Sequence, residues 1–270
     1  MNAPDKLLLG LVRDMPAEDY FAVDAASNSA LKDLERSPWH YANRVAREQT
    51  PAMFAGTLAH CAILEPAHTL ERYAIKPPGH DGRTKEGKAW TEANAGRQIV
   101  SAEQMGIASA QRAAVLAVPE LASLLSSGYA ESSAFWIDAE TGVYCKCRPD
   151  WVHTLPDGRV ILLDLKTTAD ESPAGFARAV WNFGYHRQAA HYSAGFTAAT
   201  GIDVAAFVFA AVTSAPPILA VPYMLDDEAA QKGRESCAEL LHLLAQCRES
   251  NSWPAYGSGV QILSLPAWAK

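Results

Sequence analysis

The sequence predicts an α/β (α+β) fold: a central mixed sheet flanked by helices in the order αβββαβ, with a helical elaboration ahead of it. Two observations carry that prediction. Apolar residues recur at helical spacing as far as about residue 127, and then the period changes, because residues 129–137, 143–153 and 159–166 are rich in β-formers. After those three strands, helix-period and strand-like runs alternate once more, the pattern of helices covering a sheet.

Each element has a local reason. Ser27 and Asn28 are capping candidates for a helical stretch over 27–48, which Ser37-Pro38 splits in two. Residues 52–65, AMFAGTLAHCAILE, form a small-residue apolar helix that Pro66 ends. Residues 76–88, KPPGHDGRTKEGK, hold adjacent prolines and three glycines and read as a long loop. Residues 101–127 are helical, with Pro119 restarting the pattern. Turn chemistry at 138–142 and 155–158 makes the next three strands an antiparallel meander. Helices over 172–181 and 184–199, strands over 204–213 and 218–224, a helix over 226–249 and a Trp/Pro-rich tail complete the chain. One domain is expected over 1–270: a helical part and basic loop to residue 100, the core over 101–225, and a C-terminal helix and tail over 226–270.

Bulk properties narrow the class. With 49% hydrophobic residues among 270, the chain can bury a large core. No apolar run reaches about 18 residues, so no membrane span is expected. The start, MNAPDKLLLGLVRDMP, makes a poor secretory signal, and the expectation is a cytoplasmic protein. Cys61, Cys145, Cys147, Cys237 and Cys247 are scattered and suit reduced thiols; Cys145-x-Cys147 has no second pair at zinc spacing. The net charge of −7 speaks against a nucleic-acid partner, yet residues 76–97 carry +2 and leave −9 for the rest. Such a segment is either a solvated loop or a contact to phosphate.

The stretch VILLDLKTT at 160–168 poses the functional question. It is a nearly continuous apolar strand, yet it holds Asp164 and Lys166 two positions apart and so on one face. Glu131 on the first strand and Arg148-Pro149-Asp150 at the end of the second line up with them. In a meander the end of one strand lies beside the start of the next, so these carboxylates converge. Two or three carboxylate oxygens at one point suit Mg2+ or Mn2+. A neighbouring ammonium then orients or deprotonates bound water and counters charge in the transition state. The other reading is an exposed ion pair on an edge strand. It leaves the apolar flanks Ile161, Leu162, Leu163 and Leu165 unexplained.

Pro149-Asp150, then thirteen residues, then Asp164-Leu165-Lys166 resembles the PD-(D/E)xK nuclease motif. Gly56-Thr-Leu-Ala-His60 resembles the histidine motif of the RecB-type branch, and Glu131 stands where that branch often carries an acid. Gln188-Ala-Ala-His-Tyr192 looks like its Q-x-x-x-Y helix. With Ser27-Asn-Ser29, Ser37-Pro38, Tyr41 and the Arg83–Lys88 loop, the chain is similar to RecE-type nucleases (the exonuclease VIII C-terminal domain) over roughly residues 20–250.

That resemblance implies a PD-(D/E)xK, restriction-endonuclease-like core and a set of roles. His60, Asp150, Asp164 and the Leu165 carbonyl would hold the metal, Mg2+ or alternatively Mn2+. Lys166 and Glu131 would complete the catalytic group. Gln188 and Tyr192, four apart on one helical face, are placed to hydrogen-bond phosphate or Lys166. Ser29, Arg83, Lys85 and Lys88 are candidate phosphate contacts. No iron–sulfur cluster is expected, because Cys237 and Cys247 lack a third late cysteine. The implied activity is processive 5′→3′ digestion of linear double-stranded DNA ends. It would leave 3′ overhangs for a RecT/Beta-like annealing protein in phage or prophage recombination, carried out by a ring of three or four subunits. The alternatives are a restriction-type or Cas4-like nuclease, and a non-catalytic DNA-binding module; the complete Asp/Asp/Lys set speaks against the module.

Overall fold

The computed structural model describes residues 7–45, 48–257 and 259–265. Residues 1–6 of the N-terminal stretch, 46–47 near the end of the expected 27–48 helices, 258, and 266–270 of the Trp/Pro-rich tail lie outside the described residues. The chain begins with β1 (Gly10–Val12), α1 (Ala17–Ala22), α2 (Asn28–Arg36), α3 (Pro38–Ala42), α4 (Pro51–Leu64) and α5 (Thr69–Arg72). Next come β2 (Tyr73–Ile75), α6 (Lys85–Ala93), β3 (Gln98–Val100), α7 (Ala102–Ala117) and α8 (Pro119–Leu125). The centre is β4 (Tyr129–Ala130), β5 (Ser133–Ile137), β6 (Tyr144–Cys147), β7 (Trp151–Thr154) and β8 (Val160–Thr168). α9 (Pro173–Phe183), α10 (Tyr185–Thr200), β9 (Val204–Thr213), β10 (Ala220–Tyr223) and α11 (Asp227–Ser250) follow.

Local chemistry explains the boundaries. Ser37 ends α2 and caps α3, accepting the His40 N–H, with Pro38 in the first turn where no N–H is needed. Thr50 and Pro51 start α4 in the same way. The expected 76–88 loop is shorter than predicted. The Thr84 hydroxyl accepts the Gly87 N–H at 3.0 Å and starts α6, so Lys85 and Lys88 belong to a helix. β2 and β3 form a small parallel sheet that the sequence reading did not anticipate.

The expected meander is corrected in one respect. The strands over 129–137 and 143–153 each break in two, at residues 131–132 and 148–150. β4 pairs with β7 in a five-stranded sheet of order β10-β9-β8-β7-β4, and β5 pairs with β6 in a separate sheet of order β1-β5-β6. The hairpin therefore folds across a corner. Glu131 turns it with a left-handed φ of 52°, and Pro149 has no N–H to continue a ladder. In the large sheet β8 runs parallel to β9, and the other pairs are antiparallel.

β8 lies between β7 and β9 over Val160–Leu163 and keeps only β9 beyond, where Asp164 is buried, so Asp164 and Lys166 are not an exposed edge pair. Leu163 and Leu165 pack with Ala59 and Ile63 of α4, Val115 of α7 and Leu121 of α8. On the opposite face Leu162 packs with Phe196 of α10, and Phe209 of β9 packs with Phe176 of α9. α2, α11 and the β5–β6 hairpin enclose a further core around Leu31, Trp136, Cys145 and Leu244. Among the described residues, no helix is long and apolar enough to cross a membrane.

Candidate active site

The site lies where β7 leaves β8. Their pairing ends at Trp151 opposite Leu163, so further along, that edge of β8 has no strand partner. Backbone groups two residues apart in a strand point the same way, which aims the Leu165 N–H and C=O into the vacated space. The N–H donates to Asp150 Oδ2 at 2.7 Å, and the Leu165 backbone lies beside the His60 imidazole, where it favours the charged ring. The Leu165 side chain is buried in the core behind it, and this fixes where the carbonyl points.

His60 reaches this space from α4, its Nδ1 lying 3.4 Å from Asp150 Oδ2. Glu131 and Asp150 come from the two sides of the corner. Each of the three offers a ligand atom within 4.8 Å of the others. Burial, then the nearby carboxylates of Asp164 and Glu131, hold Asp150 well above the usual carboxylate range. Burial also pulls His60 below the ordinary imidazole value, against the attraction of Asp164 and Glu131. A neutral imidazole beside carboxylates that repel one another is a donor set seeking a cation. A divalent ion fits these donors: one imidazole, carboxylate oxygens and a carbonyl.

Asp164 and Lys166 face α10, on the other side of the sheet from α4. Their side chains form an ion pair, and Gln188 Nε2 donates to Asp164 Oδ1 at 2.5 Å. Asp164 thus borders the His60–Glu131–Asp150 group, with its oxygens engaged by Lys166 and Gln188. The sequence offers phosphate or Lys166 as the partner of Gln188, and in the structure it bonds to the lysine's counter-ion. Burial disfavours the Lys166 charge, but Asp164, Asp150 and the Tyr185 hydroxyl outweigh it, and the net shift is upward. Tyr192 shares the Gln188 face, and burial, with Tyr20, Asp164, Cys147 and Asp150 adding to it, holds its hydroxyl in the neutral form.

Two residues that the sequence reading left without a role belong here. Arg148 Nε donates to Glu131 Oε2 at 2.6 Å, while Nη1 donates to the Met15 carbonyl and to Ser133 Oγ, both at 2.9 Å. Tyr185 holds its ring 4.5 Å from Lys166 Nζ. It precedes Gln188 by three residues, and helical spacing alone places it on that face. Of the remaining candidates, Ser29 is exposed and its hydroxyl meets Ser27 Oγ at 3.0 Å. Arg83 is held by Asp81 at 2.8 Å, and Lys85 and Lys88 are exposed on α6. Among the described residues none of these four bonds to the site. His191, unassigned from sequence, is a core residue: Nε2 lies 3.1 Å from the Lys146 carbonyl, and burial pulls its pKa down to about 4. All five cysteines are free and buried.

A family model described as a PDDEXK-like domain of unknown function (DUF3799) matches residues 27–266. Among solved structures, the chain is similar to a protein from Eubacterium rectale described as a candidate exonuclease. The TM-score is 0.57 at 14% identity, over 88% of this chain and 87% of that one. At that identity the likeness concerns the fold alone. SSO0001 matches with a TM-score of 0.28 and 17% identity over 70% of this chain and 86% of that one. VC1899 from Vibrio cholerae matches with 0.23 and 9%, over 84% and 58%. No curated protein matches the sequence.

Proposed function

The chain belongs to the PDDEXK-like domain family DUF3799, and on that premise we propose that it is a Mg2+-dependent 5′→3′ exodeoxyribonuclease of RecE type. It would act processively on the ends of linear double-stranded DNA and leave 3′ single strands. The observation that carries this reading is the convergence of His60, Glu131 and Asp150 beside the buried Asp164–Lys166 pair. The description of the Eubacterium rectale protein as a candidate exonuclease supports it.

The residues divide the work. His60, Asp150 and the Leu165 carbonyl would hold a divalent cation, with Glu131 and Asp164 at its border. Bound there, the cation supplies Lewis-acid polarisation of the phosphodiester and a more acidic water. Lys166, kept an ammonium by Asp164, orients the attacking water and counters charge that gathers on the phosphate oxygens. Gln188 holds Asp164, and so holds Lys166 in place. Glu131, fixed by Arg148, would accept the proton that water gives up. The water oxygen bonds to phosphorus as the bridging oxygen leaves and takes a proton. A closed ring of three or four subunits would thread the duplex and confine positive charge to its channel. That arrangement reconciles DNA with a chain of net charge −7. A single-strand annealing protein is the expected recipient of the 3′ strand.

Digestion of linear duplex labelled at its 5′ or its 3′ end, with closed circular DNA as control, tests the proposal. Early loss of the 5′ label with an intact circle is expected. Early loss of the 3′ label reverses the polarity, cutting of the circle moves the activity to an endonuclease, and no hydrolysis of any DNA removes the nuclease reading.

A further inference from the structure

Between α9, β10 and the start of α11 lies a groove of about 310 Å3, within the range of ligand sites. It is lined by Phe176, Trp181, His186, Tyr223, Met224 and Ala229, none of which belongs to the His60–Glu131–Asp150 group. Two ring pairs stiffen it: Phe176 on Tyr223 at 4.9 Å, and Trp181 on His186 at 5.4 Å. Trp181 and Met224 are exposed, so the groove is open. His186 is 8% exposed and brings the groove a polar atom without a partner. Its Nδ1 lies 3.3 Å from the Val180 carbonyl, which can only accept, so Nδ1 carries the hydrogen and Nε2 is left an acceptor. Among the described residues nothing donates to Nε2. A buried acceptor is costly to leave unpaired, so the groove suits an apolar ligand that carries a donor.

The C-terminal tail presents the matching surface. Val260, Ile262 and Leu263, at 98%, 96% and 91%, are the three most exposed large apolar side chains among the described residues. Single exposed apolar residues need no explanation, but three within four positions mark a contact surface. An extended segment sets alternate side chains, here Val260 and Ile262, on one face and carries backbone N–H groups along its edges. It thus offers both the apolar surface and the donor that the groove lacks. The chain's own groove is out of its reach. Trp253 stacks on Tyr41, which bonds to Arg248 near the far end of α11, and Tyr256 packs on His40. The helix puts about 28 Å between Ala229 and Arg248 at 1.5 Å per residue. The six residues from Tyr256 to Ile262 span at most about 22 Å.

We infer that the groove receives residues 260–262 of a second copy of this chain, with Val260 and Ile262 against Trp181 and Met224 and a backbone N–H of the segment on His186 Nε2. Groove and tail are different surfaces, so the contact runs head to tail and repeats from copy to copy until the assembly closes. The inference takes nothing from the nuclease site and assigns the contact that joins the copies.

Sedimentation velocity of the full chain without DNA tests the contact, using Ile262→Asp to spoil the tail and Met224→Asp to spoil the groove. Both side chains are exposed, so both variants should keep the wild-type Tm. The wild type should sediment as an assembly and each variant as single copies. Mixing the two variants should restore complexes of two copies, because one still has its groove and the other its tail. Assembly that survives either change, or a mixture that stays as single copies, overturns the inference. So does a wild type that sediments as single copies. In that case, binding of a fluorescein-labelled peptide of residues 257–265 by the Ile262→Asp chain would make the occupant the chain's own tail, and no binding would make it a different protein. Because DNA takes no part, failure here leaves the nuclease reading where it stands, and an inactive enzyme that assembles as described leaves the contact.

Discussion

Glu131 donates its backbone N–H to the Asp150 carbonyl at 3.1 Å, at the corner where two adjacent strands leave one sheet for the other. The bond ties together the breaks that carry two of the three clustered ligand candidates. It also holds Glu131 in a left-handed conformation that a residue with a side chain adopts at a cost of about 1–3 kcal/mol. Such a cost is tolerated where the surroundings over-determine the geometry. Here they do so through Arg148, which joins Glu131, Ser133 and Met15.

Arg148→Ala should therefore destabilise the chain by roughly 2–3 kcal/mol, the cost of losing hydrogen bonds to a charged group and leaving its partner exposed to other carboxylates. Arg148→Lys, which keeps the charge but loses the planar fork, should recover less than half of that. Urea unfolding measures both. Equal stability of Arg148→Ala and the wild type would show that the corner holds itself.

Metal-free stability should depend on pH through Asp150 and His60. The folded Asp150 carboxyl titrates above its unfolded value, so the stability it contributes is present below about pH 3.9 and is lost as pH rises through the folded value. His60 titrates below its unfolded value of about 6.5, so its contribution is present above that pH and is lost as pH falls through the folded value. Mn2+ bound here would take the place of the Asp150 proton, and its stabilisation should grow as pH rises through the folded Asp150 value. Asp150→Asn should raise the metal-free Tm at pH 8 by about 2–4 °C, equivalent to about 1 kcal/mol in a domain of this class. It should also remove the Mn2+ response and the nuclease activity. A wild-type Mn2+ shift that is flat with pH would falsify the assignment.

Most of the element order was readable because its causes are local. Ser37-Pro38, Thr50-Pro51 and the change of apolar period at residue 129 each act within a few residues. The corner was not readable, since β5 and β6 each bury consecutive residues and the polar Glu131-Ser132 and Arg148-Pro149-Asp150 read equally well as site residues on unbroken strands. Pro149 was the sole cue, and Glu131 carries a positive φ without being glycine. α6 escaped because it is an exposed helix whose signal is a cap, Thr84 to Gly87, rather than an apolar stripe. The grouping of His60 with Asp150 depended on resemblance, as the two are ninety residues apart in sequence. Tyr185 was within reach of helical spacing, and Arg148 adjoined the motif, but nothing in the chain itself says which partner an arginine will choose.

Lys166→Met should cost about 3–5 kcal/mol, because it leaves the Asp164 carboxylate, 2% exposed, without its counter-ion. The double variant Asp164→Asn/Lys166→Met should recover most of that loss, since the Asn carbonyl still accepts from Gln188 Nε2. Both variants should lack nuclease activity. A double-mutant cycle from chemical unfolding supplies the coupling, and additive costs would mean that the two charges are not paired in solution.

Gly195→Ala tests how closely α10 must lie on the corner sheet. A methyl at this position would fall inside the indole ring of Trp136, which is buried on β5 and lies 4.9 Å from the His191 ring. Helix propensity favours the alanine by about 1 kcal/mol, and overpacking a rigid buried ring opposes it by about 1–3 kcal/mol or more. Overpacking should prevail, because Trp136 is enclosed by Leu31, Cys145 and Leu244 and has no open side to move into. The helix must then lift, carrying Tyr185 and Gln188 away from Lys166 and Asp164. Gly195→Ala should therefore lower both Tm and nuclease rate, and combining it with Trp136→Leu should restore part of each by making room for the methyl. A Gly195→Ala chain more stable than the wild type would mean that propensity decides and that α10 has slack against β5. In that case the precision of the Gln188–Asp164 contact would have to come from β8 alone.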